Sequence, residues 1–196
     1  MTEEVDKGRR HFLTVATVAT GAVGAGFVAV PFLSSWKPSA RAKAMGAPVE
    51  VDISKLEPGA LMKVEWRGKA IYIVHRTPQM LAQLEGVAGK LRDPDSKESE
   101  QPAFATKPER ALKPEYLVLV GVCTHLGCAP LDKFTPGDPT VSADWPGGFF
   151  CPCHGSKFDM SGRVFKDVPA PTNLTVPPYQ FVSDTRVLIG ADKGNA

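Results

Sequence analysis

The fold of this chain is decided by two short stretches, Cys123-Thr124-His125-Leu126-Gly127-Cys128 and Cys151-Pro152-Cys153-His154-Gly155-Ser156. Together they contain all four cysteines and two of the four histidines of the 196-residue chain. Two loops that each carry thiol and imidazole groups are able to face each other and close around a metal centre. The chemical candidates are a zinc site, an iron–sulfur cluster or two disulfide bonds.

The spacing within the loops narrows these candidates. Cys123-x-His125 and Cys151-x-x-His154 each offer one thiolate and one imidazole. This set suits a two-iron, two-sulfide cluster in which two cysteines hold one iron and two histidines hold the other. Cys128 and Cys153 are then left over, one in each loop, and an exported protein allows a disulfide between them. A Cys2His2 zinc site fits the same four ligands, so the spacing alone leaves both centres open.

The composition excludes several classes of protein. The chain is 43% hydrophobic and 22% charged, with 23 basic and 21 acidic residues and a net charge of +2. These values exclude a disordered polymer, a collagen and a polytopic membrane protein. No long run of Lys and Arg is present, so we expect no nucleic-acid partner. The 18 glycines and 18 prolines favour short strands and turns over a helical bundle.

The amino-terminal region predicts export and membrane anchoring. Residues 12–36 lack any charged side chain and are long enough to cross a hydrocarbon core of about 30 Å, so we expect a transmembrane helix there. The preceding stretch, Gly8-Arg9-Arg10-His11-Phe12-Leu13-Thr14, resembles a twin-arginine export signal. Residues 1–11 are accordingly expected to lie in the cytoplasm.

Residues 37–48 are small, polar and bracketed by prolines, which predicts a flexible hinge after the membrane anchor. The piece Ala42-Lys43-Ala44 leaves a cleavage site open, and with it a released periplasmic protein. The length of the apolar run favours a retained anchor.

The remainder predicts a mainly β fold. Its base domain, a β-sandwich, covers residues 49–121 and 172–196, and a small metal-binding subdomain, residues 122–171, is inserted into it. Apolar patterning and turn residues place the elements. The predicted strands are Val49–Ile53, Val64–Trp66, Ala70–Val74, Tyr116–Val122, Tyr179–Val182 and Arg186–Ile189. Thr77-Pro78 predicts the start of a short helix, and the charged residues 90–114 predict a surface loop insertion.

The two loops, CTHLGC and CPCHGS, resemble the cluster loops of the Rieske iron–sulfur protein of bacterial cytochrome bc1 complexes. The resemblance extends over the whole chain and includes the segment Val168-Pro169-Ala170-Pro171. Rieske ferredoxins and ring-hydroxylating oxygenases are similar only in the four ligands. They typically lack the extra cysteine pair seen here as Cys128 and Cys153.

This resemblance implies one Rieske-type [2Fe–2S] cluster, a Rieske-type fold and a role for each loop residue. The implied roles are Cys123 and Cys151 on the inner iron, His125 and His154 on the outer iron, a Cys128–Cys153 disulfide, a hydroxyl donor to a bridging sulfide at Ser156, and close backbone approach to the sulfurs at Gly127 and Gly155. Phe158 stands where many members have a tyrosine that donates to a ligand cysteine, so one donor is missing.

The resemblance also implies a function. The chain would be a single-pass protein of the bacterial inner membrane with its globular part in the periplasm. It would take an electron from quinol at cytochrome b and pass it to cytochrome c1, with His154 accepting the quinol hydroxyl, Leu126 packing on cytochrome b, and the complex a homodimer of multi-subunit protomers. Two alternatives remain at this stage, the Rieske subunit of a periplasmic molybdenum oxidase and a zinc-stapled structural domain.

Overall fold

The computed structural model describes residues 6–191, and the chain divides into two units between Ala44 and Met45. The first unit contains α1 (Lys7–Ser34) and all but the last residue of α2 (Ala40–Met45). Asp6 caps α1, because its carboxylate accepts the backbone N–H groups of Gly8 and Arg9 at 2.9 and 3.1 Å. Helix α1 is long and apolar enough to cross a membrane, which confirms the predicted apolar helix.

Helix α2 lies where the composition predicted an irregular hinge. Its six residues are Ala-Arg-Ala-Lys-Ala-Met, all of them strong helix formers. The Ser39 hydroxyl accepts the Ala42 N–H at 3.1 Å and caps the first turn. A helix of six residues is marginal without tertiary support, so local propensity and this cap explain why it forms in a stretch without apolar periodicity.

The second unit is built from strands that form three antiparallel sheets of three strands each. The sheets have the orders β1-β9-β8, β2-β3-β4 and β5-β6-β7. The strands are β1 (Val49–Asp52), β2 (Leu61–Trp66), β3 (Lys69–His75), β4 (Tyr116–Val120), β5 (Leu131–Lys133), β6 (Gly148–Phe150), β7 (Lys157–Phe158), β8 (Tyr179–Ser183) and β9 (Arg186–Ile189), and the helix α3 spans Pro78–Val87.

Several predicted elements are confirmed. The β2–β3 hairpin turns at Arg67 and Gly68, both with positive φ, and pairs Trp66 with Lys69. Thr77 caps α3 by accepting the Met80 N–H at 3.3 Å. Strand β4 ends two residues earlier than predicted. The chain leaves it through Gly121, which packs so closely on the Tyr72 ring that a Cβ would overlap it.

The hydrophobic core is continuous between the base sheets and the inserted sheet. Phe149 of β6 and Phe158 of β7 are fully buried in the same apolar cluster as Leu117 and Leu119 of β4. The inserted sheet is therefore packed onto the base instead of standing as an independent lobe.

The prediction of a surface loop for residues 90–114 is wrong in part. The segment contains buried residues and includes the 3₁₀ helix Ala103–Thr106. The buried members are Leu91, Asp93, Ser96, Ala105, Arg110 and Ala111. Its charges and prolines suggested solvent exposure, but several polar groups bond to residues of the inserted subdomain, a long-range pairing that no local pattern indicates.

Candidate metal centre

Strand connections bring the two cysteine–histidine loops together. The first loop, residues 123–128, lies between β4 and β5, and the second, residues 151–156, joins β6 to β7. Strand β5 pairs with β6, with Leu131 opposite Phe150. This register places the end of the first loop beside the start of the second.

Both loops have the same backbone frame. In the first, the Cys123 N–H donates to the Cys128 carbonyl at 2.7 Å and the Gly127 N–H to the Cys123 carbonyl at 3.0 Å. In the second, the Cys151 N–H donates to the Ser156 carbonyl at 2.8 Å and the Gly155 N–H to the Cys151 carbonyl at 3.0 Å. Each loop thus presents its first cysteine from an equivalent tight turn.

Glycine is required in both turns by the backbone conformation. Gly127 has φ 86° and Gly155 has φ 74°, values that L side chains rarely adopt. A Cβ at either position would meet no protein atom within 4 Å. Glycine is therefore needed at these two positions for the left-handed backbone and not to avoid a clash with protein atoms. The close approach of the two glycines to the cluster sulfurs stays a prediction.

A disulfide joins the loops. Cys128 and Cys153 are bonded, with their Cα atoms 6.7 Å apart. The sulfur of Cys151 lies within 4.8 Å of both disulfide sulfurs. Because the bonded pair has no thiolate to offer, Cys151 is the metal ligand candidate of these three residues.

The remaining four candidates divide into an inner and an outer pair. Cys123 and Cys151 are free thiols, each 2% exposed. The rings of His125 and His154 meet edge to face with their centroids 4.8 Å apart. His125 is half-buried and His154 is exposed. The two free thiols are thus buried, and the two imidazoles lie side by side nearer the solvent.

The environment of Cys123 keeps its thiol protonated in the absence of a metal. Burial raises the pKa of the Cys123 thiol, the backbone N–H of His125 lowers it, and neighbouring Cys151 raises it again. The Ser156 hydroxyl acts in the lowering direction by hydrogen bonding. Without a metal the buried thiol is held neutral, and metal binding releases its proton.

Residues 168–171, named here the proline segment, are tied to both loops. The Ala170 N–H donates to the Ser156 Oγ at 3.1 Å, and both residues are fully buried. The Thr124 hydroxyl donates to the Thr172 carbonyl at 2.7 Å, directly after the segment. These bonds hold the proline segment and the residue after it against both loops.

The turn after β7 is held by buried charges that sequence reasoning missed. Asp159 pairs with Arg163 at 2.7 Å, and both side chains are 2% exposed. The Arg76 guanidinium donates to the Met160 carbonyl at 3.1 Å, and that of Arg110 donates to the Ser161 carbonyl at 3.1 Å. Burial lowers the pKa of Arg76 and of Arg110 to about 10.

Three further positions complete the surroundings of the two loops. Tyr72 of β3 donates from its hydroxyl to the Pro130 carbonyl at 2.9 Å and anchors the exit of the first loop to the base. Its position inside an apolar strand gave no polar signal in the sequence. Leu126 is 72% exposed at the tip of the first loop, and Phe158 is fully buried.

Comparison with known proteins agrees with this geometry. Residues 49–180 match the family model described as Rieske [2Fe-2S] domain, and residues 1–39 match the model described as ubiquitinol-cytochrome C reductase Fe-S subunit TAT signal. A ubiquinol-cytochrome c reductase iron-sulfur subunit of Allochromatium vinosum is 56% identical over 192 residues, which covers 98% of this chain and 93% of the relative. The chain belongs to the Rieske iron–sulfur subunits of ubiquinol–cytochrome c reductase.

A second relative of the same name, from Blastochloris viridis, is 49% identical over 185 residues and covers 93% of each chain. Among solved structures, a chain of a hyperthermophilic respiratory complex III is 28% identical and covers 89% of this chain and 98% of its own, with a TM-score of 0.48. The predicted Rieske fold, twin-arginine signal and family are confirmed by the family models and curated relatives.

The cofactor of this Rieske subunit is a [2Fe–2S] cluster. The residues present fit it, since the two loops offer two free thiols and two imidazoles while the other two cysteines are consumed in a disulfide. The same four donors would also fit zinc, so the family membership decides between the two centres.

Proposed function

We propose that Cys123 and Cys151 bind the inner iron of the cluster and that His125 and His154 bind the outer iron. The observation that carries this assignment is the division of the four donors by burial. Both thiols lie in the hydrophobic core, and the two histidine rings meet at the surface 4.8 Å apart. When bound, the cluster supplies a site that takes up and releases one electron.

The electron donor is quinol. His154 is the exposed member of the histidine pair, so its imidazole is accessible to a quinol hydroxyl and accepts its hydrogen bond. His125, half-buried and in edge contact with His154, orients that ring. The imidazole of His154 then holds the quinol proton, and electron and proton leave the quinol together.

The exposed surface around the two histidines also indicates which proteins the chain binds. Leu126 stands 72% exposed beside the histidines, and an exposed leucine at a loop tip supplies apolar contact area for cytochrome b. The name of a further relative, a cytochrome b-c1 complex subunit Rieske, supports a complex that also contains cytochrome c1, which receives the electron. We place this complex, a homodimer of multi-subunit protomers, in the bacterial inner membrane.

The membrane anchor and the linker determine where the globular part lies and how it moves. Helix α1 spans the membrane with its amino end in the cytoplasm, so residues 49–191 lie in the periplasm with 122–171 as the cluster-binding subdomain. Tethering keeps the cluster at high effective concentration near both partners. Residues 37–48 act as the hinge that lets the head move between cytochrome b and cytochrome c1.

Electron paramagnetic resonance of the reduced full-length protein, with iron, zinc and sulfide analysis, tests the ligand assignment. We expect two irons and two sulfides per chain, and loss of the signal in His154→Ala and Cys151→Ala. The matched control is His75→Gln, because the His75 ring stacks on Tyr116 and bonds the Leu56 carbonyl, away from both loops in the fold. Zinc without sulfide in the wild-type protein, or an intact signal in His154→Ala, would contradict the assignment.

A further inference from the structure

One arginine, Arg92, forms hydrogen bonds to several carbonyls of the proline segment. The Arg92 guanidinium donates from Nη2 to the Val168 carbonyl at 3.2 Å, and from Nη1 to the Ala170 carbonyl at 3.0 Å and the Pro171 carbonyl at 3.4 Å. A guanidinium presents several N–H donors in one rigid plane, so it is able to hold several carbonyls at once. Arg92 therefore fixes the backbone at both ends of the Pro169–Ala170 pair.

Residues 169–171, which follow the first carbonyl that Arg92 binds, contain one exchangeable backbone amide. Residues 169 and 171 are prolines and have no N–H, so Ala170 is the sole backbone donor of residues 169–171. That N–H donates to the Ser156 Oγ at 3.1 Å, inside the protein. The position of the Ala170 amide is thus set by the two clamped carbonyls of Val168 and Ala170 that flank it.

The bond from Ala170 constrains the Ser156 hydroxyl. Because the amide N–H occupies an acceptor position on Oγ, the hydroxyl proton must point to a different partner. Ser156 lies against Cys123, where its hydroxyl acts on the thiol by hydrogen bonding. A displaced Ala170 amide would free the hydroxyl to rotate away from the cluster side.

The side chain of Arg92 is exposed, but its backbone and that of its two neighbours are held by hydrogen bonds. Its own N–H donates to the Val164 carbonyl at 3.0 Å, and Leu91 forms a β-bridge with Phe165. Buried Asn173 donates to the Asp93 carbonyl at 2.9 Å. The residues on both sides of Arg92 are therefore held against the chain that leads into and out of the proline segment.

We propose that Arg92 is a positioning residue of the cluster site, which clamps the proline segment and so orients the Ser156 hydroxyl. The proposal rests on the proposed function, because the oriented hydroxyl matters for the electron that the cluster carries. Its structural step, the clamp on the Ala170 amide, stands apart from redox chemistry and is tested separately.

Hydrogen exchange of the full-length, cluster-loaded protein in detergent tests the clamp. Overlapping peptides that bracket residues 169–171 isolate the Ala170 amide. In Arg92→Gln we expect this amide to exchange at least tenfold faster, with the amides of β4 unchanged. The matched control is Lys166→Met, since Lys166 carries the same charge nearby but donates to the Gly89 carbonyl and not to the proline segment. Unchanged exchange at Ala170 in Arg92→Gln overturns the proposal.

A redox titration tests the link to Ser156. We expect Arg92→Gln to shift the one-electron equilibrium about threefold toward the oxidised cluster, roughly 28 mV at about 59 mV per tenfold change. In a Ser156→Ala background the same substitution should have no further effect, because Arg92 acts through that hydroxyl. An equal shift in both backgrounds would identify a simple charge effect and overturn the proposal.

Arg92→Lys separates charge from geometry. Lysine keeps the positive charge but cannot span the carbonyls with one rigid plane, so we expect fast Ala170 exchange and a lowered potential, as in Arg92→Gln. Wild-type behaviour of Arg92→Lys in both measurements would contradict the clamp. Failure of the proposed ligand assignment would instead be seen in the resonance signal of the His154 and Cys151 variants, whatever the exchange rate at Ala170.

Discussion

Ser156 has a fully buried hydroxyl that accepts the Ala170 N–H and lowers the pKa of the Cys123 thiol by hydrogen bonding. A donor near the cluster favours the more negative, reduced state. A hydrogen bond to a charged group is worth about 1.5 to 3 kcal/mol, and only its difference between the oxidation states affects the potential. We therefore expect Ser156→Ala to lower the potential by about 50 to 100 mV in a redox titration.

The control for this variant is Ser161→Ala. Ser161 is equally buried, but its hydroxyl accepts a hydrogen bond from Arg76 at 2.7 Å in the turn after β7. We expect it to lower the free energy of unfolding and leave the potential unchanged. A similar fall in both variants would show that loss of packing, and not loss of a donor, shifts the potential.

Substitution of Phe158, in strand β7, should change the reduction potential in the opposite direction. Its ring is fully buried in the core that also contains Cys123 and Cys151. A buried hydroxyl must find a partner, and in many family members the tyrosine at this position donates to a ligand cysteine. Phe158→Tyr should raise the potential by about 50 to 100 mV, and the Ser156→Ala/Phe158→Tyr double variant should lie near the starting value.

The Phe158 prediction is checked by redox titration together with a structure of the variant. No shift in potential, with the new hydroxyl seen to reach a cysteine sulfur, would defeat the argument from the number of donors. A hydroxyl that finds no partner would instead appear as a lower free energy of unfolding.

Burial should make the Asp159–Arg163 ion pair costly to break, as measured by the free energy of unfolding. Asp159→Asn leaves the Arg163 guanidinium buried without its counter-charge, which costs about 3 to 5 kcal/mol. The exposed pair of Glu50 and Arg186 is the matched control, because Glu50→Gln should cost about 1 kcal/mol or less. Chemical denaturation of both variants measures the difference, and equal losses would contradict the assigned role of burial.

At the scale of elements, hairpins and caps were predictable because their signals are local. Alternating apolar residues and the Arg67-Gly68 turn indicated β2 and β3, and Thr77-Pro78 indicated α3. The same reasoning missed α2, whose signal is propensity without periodicity. It also placed residues 90–114 at the surface, because the bonds from Arg92 and Arg110 to residues far along the chain have no local sequence signature.

The disulfide is the element that joins the two loops covalently, across 25 residues of sequence. A disulfide that closes a loop of this size contributes about 2 to 4 kcal/mol. In the double variant Cys128→Ser/Cys153→Ser we expect the cluster to assemble and then be lost faster than in the wild type, because the loops separate more readily. Time-resolved visible absorption at fixed temperature measures the loss. Equal lifetimes would contradict the stapling role, and loss of a thiolate from the iron in Cys128→Ser would contradict the ligand assignment.

At the scale of the whole molecule, the sequence already indicated an apolar anchor followed by a β unit that carries the cluster loops. The four candidate ligands could be selected from the sequence because cluster chemistry restricts their types and spacing. The supports of the site, Tyr72, Thr124 and Arg92, were not, because each acts across the fold on a backbone carbonyl that any residue would provide. Such contacts depend on topology, and a sequence records them only as ordinary polar residues.

The linker between the two units carries the last prediction. Helix α2 is flanked by irregular backbone at residues 35–39 and 46–48, so movement of the head needs rotation in these stretches or unwinding of the six helical residues. Prolines at residues 46 and 47, just after α2, would restrict the rotation there, because proline fixes φ and restricts the residue before it. In the intact complex we expect electron delivery to the haem acceptor, followed by stopped-flow absorbance, to slow more than quinol binding.

Serines at the same two positions keep the backbone free and should leave both rates near those of the wild type. Unchanged electron delivery in the proline variant would exclude a moving head for this protein, since a head that is docked permanently does not depend on the freedom of its tether.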